Sequence, residues 1–146
     1  MAGAPAHISA RLTTGPDVGY THRITVNKGD ISGTGAILVP CTGSDWWVEK
    51  VEILVDAALA ANNTNYYTFN LVERDRTGAA GASMFSTTYD TRGASMDGLA
   101  AFVIDTLPAD QNQVVTNGGS LEFTYAESGT AVLSELSVTF VVRHIL

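Results

Sequence analysis

Cysteine is nearly missing from this chain of 146 residues, with Cys41 its only thiol. No intrachain disulfide can form, and no cluster of thiolates can hold zinc. Cys41 itself reads as a small, half-buried hydrophobe at a strand end rather than as a nucleophile. Positive charge is scarce too: eight Lys and Arg face fifteen Asp and Glu, for a net charge of −7. The lysines are Lys28 and Lys50, and the arginines are scattered from Arg11 to Arg143 without a run. Nucleic acid and anionic membrane surfaces both demand clustered cations, so neither is expected as a partner. No apolar run reaches the length of a membrane span. The opening Met1-Ala2-Gly3-Ala4-Pro5 has neither the basic nor the apolar part of a signal peptide, and Ala2 rules out myristoylation. The expectation is a protein made and folded in a cytoplasm, in which the Asn62-Asn63-Thr64 sequon is a chance match.

What the chain has in quantity is alternation. A hydrophobic fraction of 45% with only 16% charged residues describes a globular protein whose polar surface is built from Thr, Ser, Asn and Gly. The length fits one domain with one core. Residues 1–20 read as an extended arm, with Gly15-Pro16-Asp17 a turn, and residues 21–146 as a single β domain. Within it, apolar residues recur with period two. Ile24 and Val26 mark a strand over His22–Lys28, and Ala36–Val39 is a short strand stopped by Pro40. Val51, Ile53 and Val55 share one face of a strand running from Trp46 to Asp56. Ala57–Ala61 is too short for an independent helix and is read as strand tail plus loop. Tyr67, Phe69 and Leu71 form one face of Thr64–Glu73. Asp75–Ala82 reads as a Gly/Ala loop, Ser83–Tyr89 as a strand with Met84 in the core, and Leu99–Asp105 as either strand or short helix. Val114-Val115 leads into Asn117-Gly118-Gly119, a hairpin signal. Leu121, Phe123 and Tyr125, then Leu136, Val138, Phe140 and Val142, complete the inward set. Short strands between turns, with no amphipathic helix, specify an all-β fold: a β-sandwich, with a jelly roll of about eight strands the preferred topology.

Residue types that carry chemistry are present but dispersed. His7, His22 and His144 never fall within four residues of one another, and no Gly-x-Ser-x-Gly, Gly-Lys-Ser/Thr or His-Glu-x-x-His pattern occurs. His22 and His144 read as exposed or rim positions. Glu49 and Asp56 have opposite parity on a regular strand, so they do not converge as paired acids. The expectation is a protein that is not an enzyme and holds no cofactor or metal.

Other features suit partners. Trp46-Trp47 places two large rings on opposite faces of one strand, so one ring in the core leaves the other outward, at an interface or under the arm. The chain closes on Ile145-Leu146 directly after an apolar strand. With Ile8, Leu12 and Tyr20 of the arm, these are the candidate contact residues.

Two segments also carry a resemblance. EKVEILVDAALAANNTNYYTFNLV, from Glu49 to Val72, is similar to the middle of small jelly-roll proteins from tailed bacteriophages. There a strand ending in small residues passes through an Asn-rich turn into a Tyr/Phe-rich strand. VVTNGGSLEFTYAESGTAVLSELSVTFVVR, from Val114 to Arg143, resembles the close of the same group. The resemblance covers about two-thirds of the chain through alternation and turns, and it carries over no ligand residue. It implies a virion structural protein, a capsid decoration or cement protein that forms a homotrimer on the capsid exterior. Its partner would be the major capsid protein, and it would be made in the bacterial host cytoplasm. The alternative it leaves open is a receptor- or glycan-binding module of a phage fibre or tail, with Trp46 or Trp47 as a stacking platform.

Overall fold

A computed structural model describes residues 20–29, 31–85, 89–93, 95–96, 102–104, 113–133 and 135–145. The expected arm, with Ile8 and Leu12, lies outside the described residues apart from Tyr20, as does Leu146. The described residues form ten strands and no helix: β1 (Thr21–Gly29), β2 (Thr34–Pro40), β3 (Trp46–Val55), β4 (Tyr66–Arg74), β5 (Ala80–Ser83), β6 (Tyr89–Asp90), β7 (Phe102–Ile104), β8 (Val114–Val115), β9 (Ser120–Ser128) and β10 (Glu135–His144).

Every pairing among them is antiparallel, and the pairs are nested. The first strand pairs with the last, β1 with β10, and the second with the second-last, β2 with β9. Further in, β3 takes β7 and β8, and β4 takes β5 and β6. Two more pairings, β10 with β3 and β9 with β4, complete two five-stranded sheets. A long antiparallel ribbon rolled over itself in this way is a jelly roll, and the fold is a β-sandwich.

The inward set is the one that alternation selects. Tyr67, Phe69 and Leu71 of β4, Leu121, Phe123 and Tyr125 of β9, and Leu136, Val138, Phe140 and Val142 of β10 are all buried. Phe123 meets Phe140 edge-on at 6.2 Å across the gap between sheets, and it stacks on Phe69 at 5.7 Å within its own sheet. The Tyr67 hydroxyl, buried at the same level, donates to the Ile31 carbonyl at 3.1 Å. Each such ring removed from water contributes about 1.5–3 kcal/mol.

Four local expectations need correction. Trp46 and Val48 share the core with Val51, Ile53 and Val55, although the two sets differ in parity. The reason is a bulge: Val48 faces Val142 and Lys50 faces Val141, so Glu49 is an extra residue on β3. The Asn117-Gly118-Gly119 turn is not a hairpin, because β8 pairs with β3 while β9 lies in the opposite sheet. The turn is tied instead to the loop after β2. Gly118 N–H donates to the Cys41 carbonyl at 3.0 Å, and Cys41 N–H to the Gly119 carbonyl at 2.9 Å. Gly118 has φ +89, and a Cβ on Gly119 would meet the Arg74 carbonyl oxygen at 2.4 Å, so both positions require glycine. The stretch read as a Gly/Ala loop ends in β5, and the strand read over Ser83–Tyr89 is broken by a bend at Met84-Phe85, with Met84 in the core. Past β3, Leu59 forms only an isolated bridge to Met96.

Phe123→Ala removes the ring that joins both sheets and is expected to cost about 3–5 kcal/mol of unfolding free energy. Val132→Ala, at a side chain 76% exposed, is expected to stay within about 0.5 kcal/mol. Urea denaturation followed by circular dichroism measures both.

Candidate functional site

Two concavities open at opposite ends of the sheet that carries β1, β10 and β3. The first, of about 390 Å³, lies between Asn27–Gly29, Leu54–Asp56 and Glu135–Ser137. Several of its polar groups already serve one another. Ser137 Oγ donates to Asn27 Oδ1 at 2.7 Å, and Asp56 Oδ1 accepts the Glu135 N–H at 3.2 Å.

The second, of about 340 Å³, is lined by Tyr20, His22, Thr42, Gly43, Trp46 and His144. Its residues come from the start of β1, the loop between β2 and β3, and the end of β10. Because β1 pairs with β10, histidines 122 positions apart in the chain become neighbours. His144 Nε2 lies 3.1 Å from His22 Nδ1, and His144 Nδ1 lies 2.7 Å from Ser44 Oγ. Ser44 Oγ also donates to the Asp45 carbonyl at 3.3 Å. The 2.7 Å bond to Ser44 Oγ anchors His144 Nδ1, and His144 Nε2 and His22 Nδ1 share one proton across their 3.1 Å contact. Tyr20 stacks on the His144 ring at 4.4 Å, and Trp46 meets His22 edge-on at 5.8 Å. Burial, with His22 adding to it, holds the His144 imidazole below the ordinary histidine range, so it is neutral near pH 7.

The reading of His144 as an exposed or rim position is therefore corrected, while His22 sits at the rim of the concavity. His144 is 7% exposed and His22 half-buried. The signal was available in their parity: His144 continues the inward series Leu136 to Val142, and His22 the series Ile24 and Val26. Which two strands would be neighbours was not.

Serine, imidazole and second imidazole have the connectivity of nucleophile, base and orienting group. Ser44, however, does not line the concavity. The serine is an anchor for the ring. Glu49 and Asp56 are separated by distance rather than by parity, since the bulge makes β3 irregular. Glu49 pairs with Arg143 at 2.7 Å and Asp56 with the Glu135 amide. Those partners stand eight residues apart on β10, roughly 26 Å at the rise of an antiparallel strand. No group of three or more His, Cys, Asp or Glu gathers as a metal site among the described residues.

The described candidate contact residues, Tyr20, Trp46, Trp47 and Ile145, come together at the end of the sheet that holds this concavity. Trp46 is in the core at 4% exposed and presents no free ring face for a sugar. Trp47, half-buried, sits on the outer face between Arg143 and Val114. Tyr20 is 56% exposed, and Ile145 is held by its N–H to the Asp45 carbonyl at 2.9 Å. Cys41 is fully buried rather than half-buried, with its Sγ directed at the Ser44 and Val115 carbonyls.

A scan against protein-family models finds no match, and a search of curated proteins finds none either.

Desolvation, with the Asp45 carboxylate adding repulsion, pushes the Cys41 thiol from 9.0 up to about 11. A raised acid keeps its proton in the folded state. The stability it contributes is complete below pH 9 and is lost as pH rises from about 9 towards 11. At pH 8 the native thiolate fraction is about a hundredfold below that of the unfolded chain. Native protein is thus expected to react with a disulfide reagent at least that much more slowly than protein in guanidinium. Equal rates would show an accessible thiol.

Proposed function

We propose that this chain is a non-enzymatic virion structural protein, a decoration or cement module that binds the exterior of a capsid shell as a homotrimer. The observation that carries the reading is the contrast between the two outer faces of the sandwich. The face of β1, β10 and β3 is laced with ion pairs: Arg23 and Lys50 with Glu52, and Arg143 with Glu49. The middle of the face of β2, β9 and β4 carries no charge. It presents Ala36, Thr68, Asn70, Thr124 and Ala126, with Leu38, 61% exposed, on the edge strand beside Glu122. The charges beside this stretch are paired off at its ends, Arg74 with Glu122 and Arg92 with Asp90.

On a protein with a net charge of −7, a stretch of sheet without charge is unusual ground. The cores of protein interfaces are depleted of charged residues in the same way. Jelly rolls built from two Greek keys serve as viral capsid domains and lectin domains, and the sequence resembles phage decoration proteins in two long segments. In a shell of many copies, contacts that are weak singly add through multivalency.

Light scattering of the purified chain is expected to give a trimer, and the chain to co-sediment with purified tailed-phage capsids stripped of their decoration layer. Leu38→Lys with Thr124→Arg, which places two cations on the face of β2, β9 and β4, is expected to weaken capsid binding about tenfold or more. A monomer that ignores such capsids would overturn the proposal.

A further inference from the structure

The geometry points to a bidentate site for a first-row transition-metal ion of imidazole preference, such as Ni²⁺ or Zn²⁺, held by His144 Nε2 and His22 Nδ1 at the mouth of the 340 Å³ concavity. This inference is independent of the proposed role in a virion. Four observations support it.

The first is the bite. Imidazole nitrogens bind zinc at about 2.0–2.1 Å. Two such bonds to nitrogens 3.1 Å apart subtend an angle of about 98°, and an opening of about 0.3 Å makes it tetrahedral. The two nitrogens therefore stand at chelating distance without rearrangement of either strand.

The second is the anchor. His144 Nδ1 is held by Ser44 Oγ at 2.7 Å, and His144 Nε2 and His22 Nδ1 share one proton across 3.1 Å. An ion takes both nitrogens once that proton is displaced. A ligating histidine whose other ring nitrogen is anchored by a hydrogen bond is the usual arrangement around bound metals.

The third is rigidity. The His144 ring lies against Tyr20 at 4.4 Å and the edge of Trp46 at 6.0 Å, and the His22 ring against Trp46 at 5.8 Å. Both ligands are pinned on their faces by other aromatic rings, so little ordering remains to be done when an ion binds.

The fourth is the chemistry of the surroundings. No Asp or Glu side chain lines the concavity, so hard ions that require several oxygen ligands, calcium and magnesium, are disfavoured. Neutral imidazoles suit nickel, copper and zinc, and water from the open side would complete the coordination. The buried Trp46 indole N–H, in the wall of the same concavity, has no hydrogen-bond partner.

The test uses the full, untagged chain carrying Trp47→Phe, so that Trp46 is the sole indole. Its ring lies within about 6 Å of both imidazoles, close enough for bound Ni²⁺ to quench it. Titration with Ni²⁺ is expected to quench the fluorescence saturably, with one ion per chain by equilibrium dialysis. Zn²⁺ is expected to raise the melting temperature and to compete with Ni²⁺. His22→Ala and His144→Ala should each weaken binding at least about tenfold. Ser44→Ala, which keeps both ligands, should weaken it by about tenfold with unchanged stoichiometry. His7→Ala, at the one other histidine of the sequence, should change nothing. Since His144 is buried, His22→Ala carries the test if the His144 variant unfolds. No binding up to millimolar ion, or binding that survives His22→Ala but not His7→Ala, would overturn the assignment.

Discussion

The contact on which the molecule depends is the edge-on packing of Phe140 against Phe123. The two rings come from the central strands of opposite sheets, and Phe123 stacks in turn on Phe69. Neither sheet can keep its inner face dry without the other, because each offers a continuous row of aromatic and branched side chains. Hydrogen bonds arrange the strands within each sheet, but they do not join the layers. That task falls to burial, and the three phenylalanines are all buried.

Seen from that core, each strand's alternation was readable in advance wherever the strand is regular. The inward residues of β4, β9 and β10 follow from period-two patterning alone, because a residue on a pleated strand can face only one of two sides. The pattern fails where one residue changes the count. Glu49 is such a residue, and nothing in its type marks it as a bulge; only the pairing of Val48 with Val142 and Lys50 with Val141 reveals it. Patterning also says which face a strand buries but not which strand lies beside it. That is why Asn117-Gly118-Gly119 looked like a hairpin, and why His22 and His144 looked unrelated. The turn chemistry was right in that Gly118 adopts positive φ, yet the chain crosses to the other layer instead of doubling back. The candidate site was legible in part. The inward parity of both histidines could be read, whereas their 3.1 Å contact is a product of topology.

The outer faces divide the surface into two kinds. Ion pairs between exposed side chains contribute little to stability, typically below about 1 kcal/mol each, so those on β1, β10 and β3 are better regarded as solvation than as bracing. Their effect is to make that face unattractive to an apolar partner. The opposite face has no such barrier. Its threonines, alanines and Asn70 demand little desolvation when covered, and Leu38 adds apolar area at the margin.

The nesting of strand pairs also governs the order in which the structure can arise. β10 lies between β1 and β3, so those two strands share a sheet only once the last long strand is present. During synthesis, β1 and β3 emerge with their edges open, and their eventual partners on β10 are 81 to 122 residues away in the chain. Closing contacts over such separations is slow, and unpaired strands are exposed to mispairing while they wait. The cost of a jelly roll is thus a delay before its layers can close, and that delay ends only when Phe140 reaches Phe123.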